Sequence, residues 1–232
     1  MSRQADGQSR SDAVYRSLHR AIIEQALKPD TRLPEDTVGE QFGVSRTIVR
    51  QALGRLHNEG LVEFQPNRGA FVARPSLEEA HAAFEVRHCL EREVIRKLVE
   101  RISVNGLDAL EAHVSQEERV RGRDGPRSIR LAGEFHVTLA ELTGNVLLTR
   151  YLREVVSRCS LVLAVYGRPH SSDCAVDEHR RIIRAIRQGD ARGAMDIMDA
   201  HLGAVEARAR LEGDATADLR SVLDRYSEPE RG

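Results

Sequence analysis

Apolar positions recur at helical spacing along most of this 232-residue chain. Within 11–26, Val14, Leu18, Ala21 and Ile22 repeat at intervals of three and four, the signature of one helix face, and Lys28-Pro29-Asp30 ends the pattern. A short second helix enters through Pro34 and reaches Phe42, Gly43-Val44 makes a turn, and a third helix starts at Ser45. At about 100° per residue, Ile48, Val49, Ala52, Leu53 and Leu56 of that helix share one sector, and Arg46, Thr47, Arg50 and Gly54 share the opposite one. Ser45 is expected to cap it through its hydroxyl, a contribution of about 1 kcal/mol. The period then changes: Gly60-Leu61-Val62-Glu63-Phe64 and Ala70-Phe71-Val72 alternate around Gln65-Pro66-Asn67-Arg68-Gly69, which predicts a hairpin. A helix-turn-helix followed by a hairpin is a winged helix.

After a linker at Pro75-Ser76 the period stays helical, over 77–101, 107–121, 127–143, 146–166, 174–188 and 190–211. The separators Asn105-Gly106, 122–126, Gly144-Asn145, Gly167-Arg168-Pro169-His170 and Gly189-Asp190 carry turn or cap chemistry. No segment demands a strand, so the second domain is expected to be an all-helical bundle. The fold class is therefore mainly α. The expected division is a disordered start (1–10), a winged helix-turn-helix (11–74), the bundle (75–212) and a loosely held tail (213–232) with a helical turn around Leu219 to Leu223.

Composition adds limits to this picture. A hydrophobic content of 41% allows a core in both domains. No apolar run is long enough to cross a membrane and the start has no signal segment, so a soluble cytoplasmic protein is expected. Cys89, Cys159 and Cys174 show no paired spacing and are read as buried or inert thiols. The net charge of −1 gives no general support for a polyanionic partner. Through residue 75 there are eleven Lys or Arg against nine Asp or Glu, too small an excess to matter; the shared face of the arginines on the third helix matters more.

The chain resembles the GntR transcriptional regulators, in the FadR-like branch with an all-helical FCD effector domain. The N-terminal likeness lies in Leu33-Pro34-Glu35, Phe42-Gly43-Val44-Ser45-Arg46-Thr47 with Arg50-Gln51-Ala52-Leu53, and Pro66-Asn67-Arg68-Gly69-Ala70-Phe71-Val72. A looser likeness runs through Val86-Arg87, Leu90-Glu91, Phe135-His136, Thr143-Gly144-Asn145, Glu178-His179, Gly189-Asp190 and His201. Five positions depart from the family pattern. Glu35-Asp36 is acidic where a basic residue is common, Gln25 and Asp30 stand where glycines are common, and Ala132 replaces an Asp one turn ahead of the first histidine. Glu134 does not substitute for that Asp, because two residues along a helix points to another side.

The resemblance implies a DNA-binding regulator, not an enzyme, acting as a repressor on double-stranded operator DNA. Arg46 and Arg50 suit guanine edges in the major groove, Ser45 and Thr47 suit phosphate oxygens, and Arg68 and Gly69 form a wing tip that suits the minor groove. Arg55 is either a further phosphate contact or a solvated side chain. One winged helix covers half a site, so a homodimer is implied. In the bundle, His136, His179 and His201 lie on apolar helix faces, where each alone reads as a core histidine; together they match the family's metal ligands, and imidazole suits zinc or nickel. Arg87 either pairs with Glu91 at the i,i+4 spacing or clamps a small carboxylate effector. A three-histidine metal-dependent hydrolase fused to a DNA-binding module is the alternative, and no nucleophile or general-base motif accompanies it.

Overall fold

The computed structural model describes residues 2–167 and 175–209, with side chains from residue 10 onward. His170, Cys174 and the whole expected tail lie outside the described residues. The N-terminal unit is built from α1 (Ser2–Ile23), α2 (Glu35–Phe42), α3 (Arg46–Asn58), β1 (Val62–Gln65) and β2 (Gly69–Val72). Helix α1 begins at Ser2, where the sequence suggests disorder. Gly43 makes the turn between α2 and α3 at φ +62°, a left-handed conformation that costs glycine little. Close approach matters just before it, since a Cβ on Gly39 would sit 2.9 Å from the Val44 carbonyl oxygen.

Strands β1 and β2 pair antiparallel from Val62 opposite Val72 to Gln65 opposite Gly69. Arg32 bridges Phe71, and the Leu33 N–H donates to the Ala70 carbonyl at 2.8 Å, which seats the chain between α1 and α2 against the wing. Val49, Ala52, Leu53 and Leu56 of α3 are fully buried with Val14, Ile22 and Val72, while Ile48 is only half-buried.

The second unit comprises α4 (Leu77–Arg101), α5 (Val104–Val120), α6 (Gly125–Leu142), α7 (Val146–Tyr166), α8 (Ala175–Arg187) and α9 (Ala191–Arg208). Its helices start where the capping residues sit. Ser76 and Glu79 form a reciprocal capping box, and Ser103, Asp124, Asn145 and Asp190 each accept a first-turn backbone N–H. Phe84, Leu98, Phe135, Leu139, Leu152, Ile182 and Met198 form the middle of a shared core. Cys159 is buried, and Cys89 is exposed at a position where α4 faces outward, so of the expected buried or inert thiols only Cys159 is of the buried kind among the described residues.

The two units are docked. Leu161 of α7 packs into the winged-helix core, and His19 Nε2 of α1 lies 3.2 Å from Ser157 Oγ of α7. Arg130 of α6 donates to Glu24, just past α1, at 2.7 Å, and the Tyr166 hydroxyl donates to the Pro75 carbonyl at 3.0 Å.

Truncation of the α3 anchor should be costly, because the site is filled and cannot collapse: Leu53→Ala is expected to destabilise the protein by about 2–5 kcal/mol. A denaturant midpoint indistinguishable from that of wild type would contradict this packing.

Candidate functional site

Two surfaces carry chemistry. The first is the outward face of α3, where Ser45, Arg46, Thr47 and Arg50 are all exposed. Ser45 occupies the N-cap position, yet its hydroxyl makes no cap hydrogen bond, contrary to expectation. The hydroxyl is thus uncommitted at the end of the helix where backbone N–H groups are unsatisfied, an arrangement that suits an anion.

The arginines are not idle. Arg50 donates from Nε and an Nη to both carboxylate oxygens of Glu35, at 2.9 and 2.8 Å, and Arg46 pairs with Asp36. The acidic start of α2 therefore lies directly over the basic face of α3. Glu35 raises the affinity of Arg50 for its proton through this bidentate contact. Arg68 and Gly69 are exposed at the wing tip, with Gly69 at φ +95° and the Arg68 guanidinium 5.1 Å from the Phe71 ring. Arg55 lies over the Tyr15 ring at 3.9 Å and pairs with Asp12 while staying partly exposed to solvent.

The second surface is internal. His136 on α6, His179 on α8 and His201 on α9 are all buried, and one ring nitrogen from each lies within 4.8 Å of the others. Each ring turns its Nδ1 to a different carboxylate. His179 Nδ1 is 2.8 Å from Glu117 of α5, and His201 Nδ1 is 2.6 Å from Glu178 of α8. His136 Nδ1 is 2.8 Å from Glu91 of α4, close but out of line for a hydrogen bond. A proton held on Nδ1 toward a carboxylate leaves a lone pair on Nε2.

Those lone pairs converge. His136 Nε2 and His201 Nε2 are 3.3 Å apart, and His179 Nε2 is buried with no hydrogen-bond partner. Burial holds His136 well below the ordinary imidazole range and lowers His201 to about 4, so both are neutral near pH 7. Converging Nε2 atoms, with Nδ1 of His179 and His201 hydrogen-bonded to carboxylates and Nδ1 of His136 beside one, fit a divalent metal of the zinc or nickel kind. Burial pulls the Glu117 carboxyl upward, but His113 and His179 outweigh it and leave the group below the usual range. Glu91, deeper and fully buried, is pushed up by that burial against the pull of Arg87.

His136 and His201 open onto a cavity of about 370 Å³ whose wall also includes Arg87, Ala132 and Ser160. Arg87 makes the pairing expected at the i,i+4 spacing, with its Nε 3.2 Å from Glu91 Oε1, and the residue also lines the cavity. Ala132 contributes only a methyl group to the wall and no fourth ligand. The three carboxylates that orient the histidines escape sequence reasoning. A signal exists for two of them: Glu91 and Glu117 occupy stripe positions, Glu91 between Arg87 and Val94 and Glu117 between Val114 and Val120, that an apolar residue would otherwise fill.

Comparison with known proteins gives a consistent result. The model of the FCD domain matches residues 82–204, and the model of bacterial regulatory proteins of the gntR family matches residues 10–72. The chain is 24% identical to the HTH-type transcriptional regulator YdhC of Bacillus subtilis over 192 residues, covering 81% of this chain and 85% of that protein. It is 25% identical to the HTH-type transcriptional repressor RspR of Escherichia coli, covering 85% and 87%. The fold matches that of E. coli McbR/YncC with a TM-score of 0.76 at 17% identity, covering 94% of this chain and 99% of the other.

The neutral histidines make the metal-free protein acid-labile. His136 and His201 bind protons less readily when folded than when unfolded, so the stability they contribute is present above pH 6.5 and is lost as pH falls from there toward about 4. The melting temperature without metal should fall over that window, and His201→Asn should make the fall shallower; an unchanged slope would count against a neutral buried His201.

Proposed function

Because this chain belongs to the gntR family of bacterial regulatory proteins and carries an FCD domain behind its winged helix, we propose that it is a ligand-responsive repressor whose effector is a small organic acid. That it is a DNA-binding transcriptional regulator and not an enzyme follows from the family. The name repressor borne by RspR supports the direction of control proposed here. The order of a winged helix and a helical effector domain supports the FadR-like branch, and half-site coverage by a single winged helix supports action as a homodimer. No described helix is long and apolar enough to cross a membrane.

At the operator, Arg46 and Arg50 read base edges, Ser45 and Thr47 hold phosphate oxygens, and Arg68 with Gly69 reaches the minor groove. Glu35 and Asp36 must give up their arginines when DNA arrives, so part of the binding energy is spent exchanging a carboxylate for a base or phosphate. In the bundle, His136, His179 and His201 hold a divalent metal and Arg87 grips one carboxylate of the effector. When bound, the metal supplies a Lewis-acidic, doubly charged anchor for a carboxylate oxygen. The observation that carries this reading is the convergence of three buried imidazoles, each with a carboxylate beside its Nδ1, of which His136 and His201 line a cavity that also presents Arg87. The hydrolase alternative is not favoured, because Glu91, Glu117 and Glu178 are each engaged with a histidine and none stands free as a base.

Operator selection from random DNA followed by anisotropy titration, with and without zinc and organic acids, tests the whole proposal. Failure of any acid to change operator affinity would sink the effector half. For the DNA half, Arg50→Ala should cost about 1–3 kcal/mol and relax preference at one base pair. Glu35→Gln, by contrast, should strengthen binding and steepen its dependence on salt, because it frees a cation for phosphate. For the metal half, Glu117→Gln should weaken zinc binding about 10–100-fold in chelator competition, whereas equal affinities would remove Glu117 from its orienting role.

A further inference from the structure

The cavity beside the histidines is not made by the helical domain alone. Its wall includes Gln25, which belongs to the DNA-binding unit and sits in the turn immediately after α1. We propose that Gln25 is a ligand-recognising residue: the DNA-binding domain closes the effector cavity and reads the end of the ligand that lies away from Arg87 and the histidines. This rests on the reading of the cavity as an effector site.

Gln25 has φ +59°, a left-handed conformation that a glycine would adopt freely and that is unfavourable for residues with a side chain. The strain is held in place by the turn itself. The Gln25 N–H donates to the Ile22 carbonyl at 3.0 Å, and the N–H groups of Ala26 and Leu27 both donate to the Ala21 carbonyl. A side chain is thus kept at a position where none is needed for folding, and it faces a cavity whose other polar wall groups include Arg87, His136 and His201. Such an outlier beside a polar cavity points to a role for the side chain itself.

The neighbouring residue fixes where Gln25 enters. Glu24 accepts from Arg130 of α6 at 2.7 Å and from Arg20 at 2.9 Å. Burial pushes the Glu24 carboxyl up, but the two arginines outweigh it and keep the group ionised. The turn is therefore tied to the first half of α6, ahead of Ala132 and His136. From Arg130 to His136 the helix rises about 9 Å, a separation that favours an extended ligand for meeting Gln25 at one end and Arg87 with the histidines at the other. Ile129, Val156 and Leu163 line the cavity as well. The ligand class that fits has a carboxylate at one end, a short apolar middle and a second carboxylate or other polar group at the far end, met by the Gln25 carboxamide, which both donates and accepts.

This arrangement gives the ligand a direct hold on the domain that meets DNA. Its contact with Gln25 exists only while the turn lies against α6, so it binds that arrangement of the two units more tightly than any other and shifts the population toward it.

The test uses the full chain loaded with Zn²⁺ and four probes titrated singly by calorimetry: acetate, glutarate, adipate and 4-aminobutyrate. Gln25→Gly suits the left-handed turn and should not lower the melting temperature without ligand. It should weaken the tighter-binding dicarboxylate about three- to tenfold, leave acetate unchanged, and shrink the dicarboxylate's effect on operator affinity. Gln25→Glu should shift the preference from dicarboxylate toward 4-aminobutyrate, whose ammonium end would meet a carboxylate. Gly and Glu variants that bind and respond like wild type would overturn the inference while leaving the effector site standing, as would an equal loss for acetate and dicarboxylate. A wild-type protein that binds none of the four overturns the cavity reading and this inference together, a failure visible without any variant.

Discussion

Ionisable groups inside an apolar bundle must be satisfied by one another, and here that requirement organises five helices around one point. His136 on α6 leans on Glu91 from α4, His179 on α8 leans on Glu117 from α5, and His201 on α9 leans on Glu178 from α8. Arg87 then offsets part of the charge of Glu91. Removing any one partner would leave another buried without compensation, which costs more than the pair contributes when intact. The same contacts that make the cluster tolerable also fix the tautomer and direction of each ring. Stability and ligand-holding geometry thus come from one set of interactions.

That point is not remote from the DNA-binding unit. Helix α6 carries His136 inward and Arg130 outward, so the element that positions one histidine also holds Glu24 and, through it, the turn bearing Gln25. Helix α7 contributes Cys159 to the bundle core and Leu161 to the core of the winged helix. The two units share packed side chains, which is the kind of contact through which a change at the cavity can bias their arrangement.

Much of this was legible in the chain. Helical spacing predicts the six helices of the bundle to within a few residues, because capping residues interrupt the apolar stripes; the exception is Asn105-Gly106, expected as a separator but lying inside α5, which is capped by Ser103 instead. The two faces of α3 are readable from the separation of Val49, Ala52, Leu53 and Leu56 from Arg46 and Arg50. The histidines stand out in the sequence because each sits on an apolar stripe and the three together match the metal ligands of the family the chain resembles. Their carboxylate partners were missed because a charge in a stripe reads as a break in the pattern when its partner lies on another helix. Ser45 was read as a cap from local chemistry, but its hydroxyl is uncommitted. Glu35 and Asp36 were visible as a departure from the family, yet only the tertiary structure pairs them with Arg50 and Arg46. Gln25 gave no local sign of the cavity it enters, since a turn's spacing says nothing about the distant helix it lies against.

The acid pair on α2 has a kinetic meaning. A regulator must find a short site among a vast excess of unrelated duplex, and every nonspecific encounter delays it. With Arg46 and Arg50 each held by a carboxylate in the free state, the α3 face would offer random phosphates a weaker attraction than the same face without those acids. Only a site that satisfies the guanidinium groups with base edges compensates for releasing Glu35 and Asp36. The pair would act as an internal competitor that shortens dwell on wrong sequences and speeds the search for the right one.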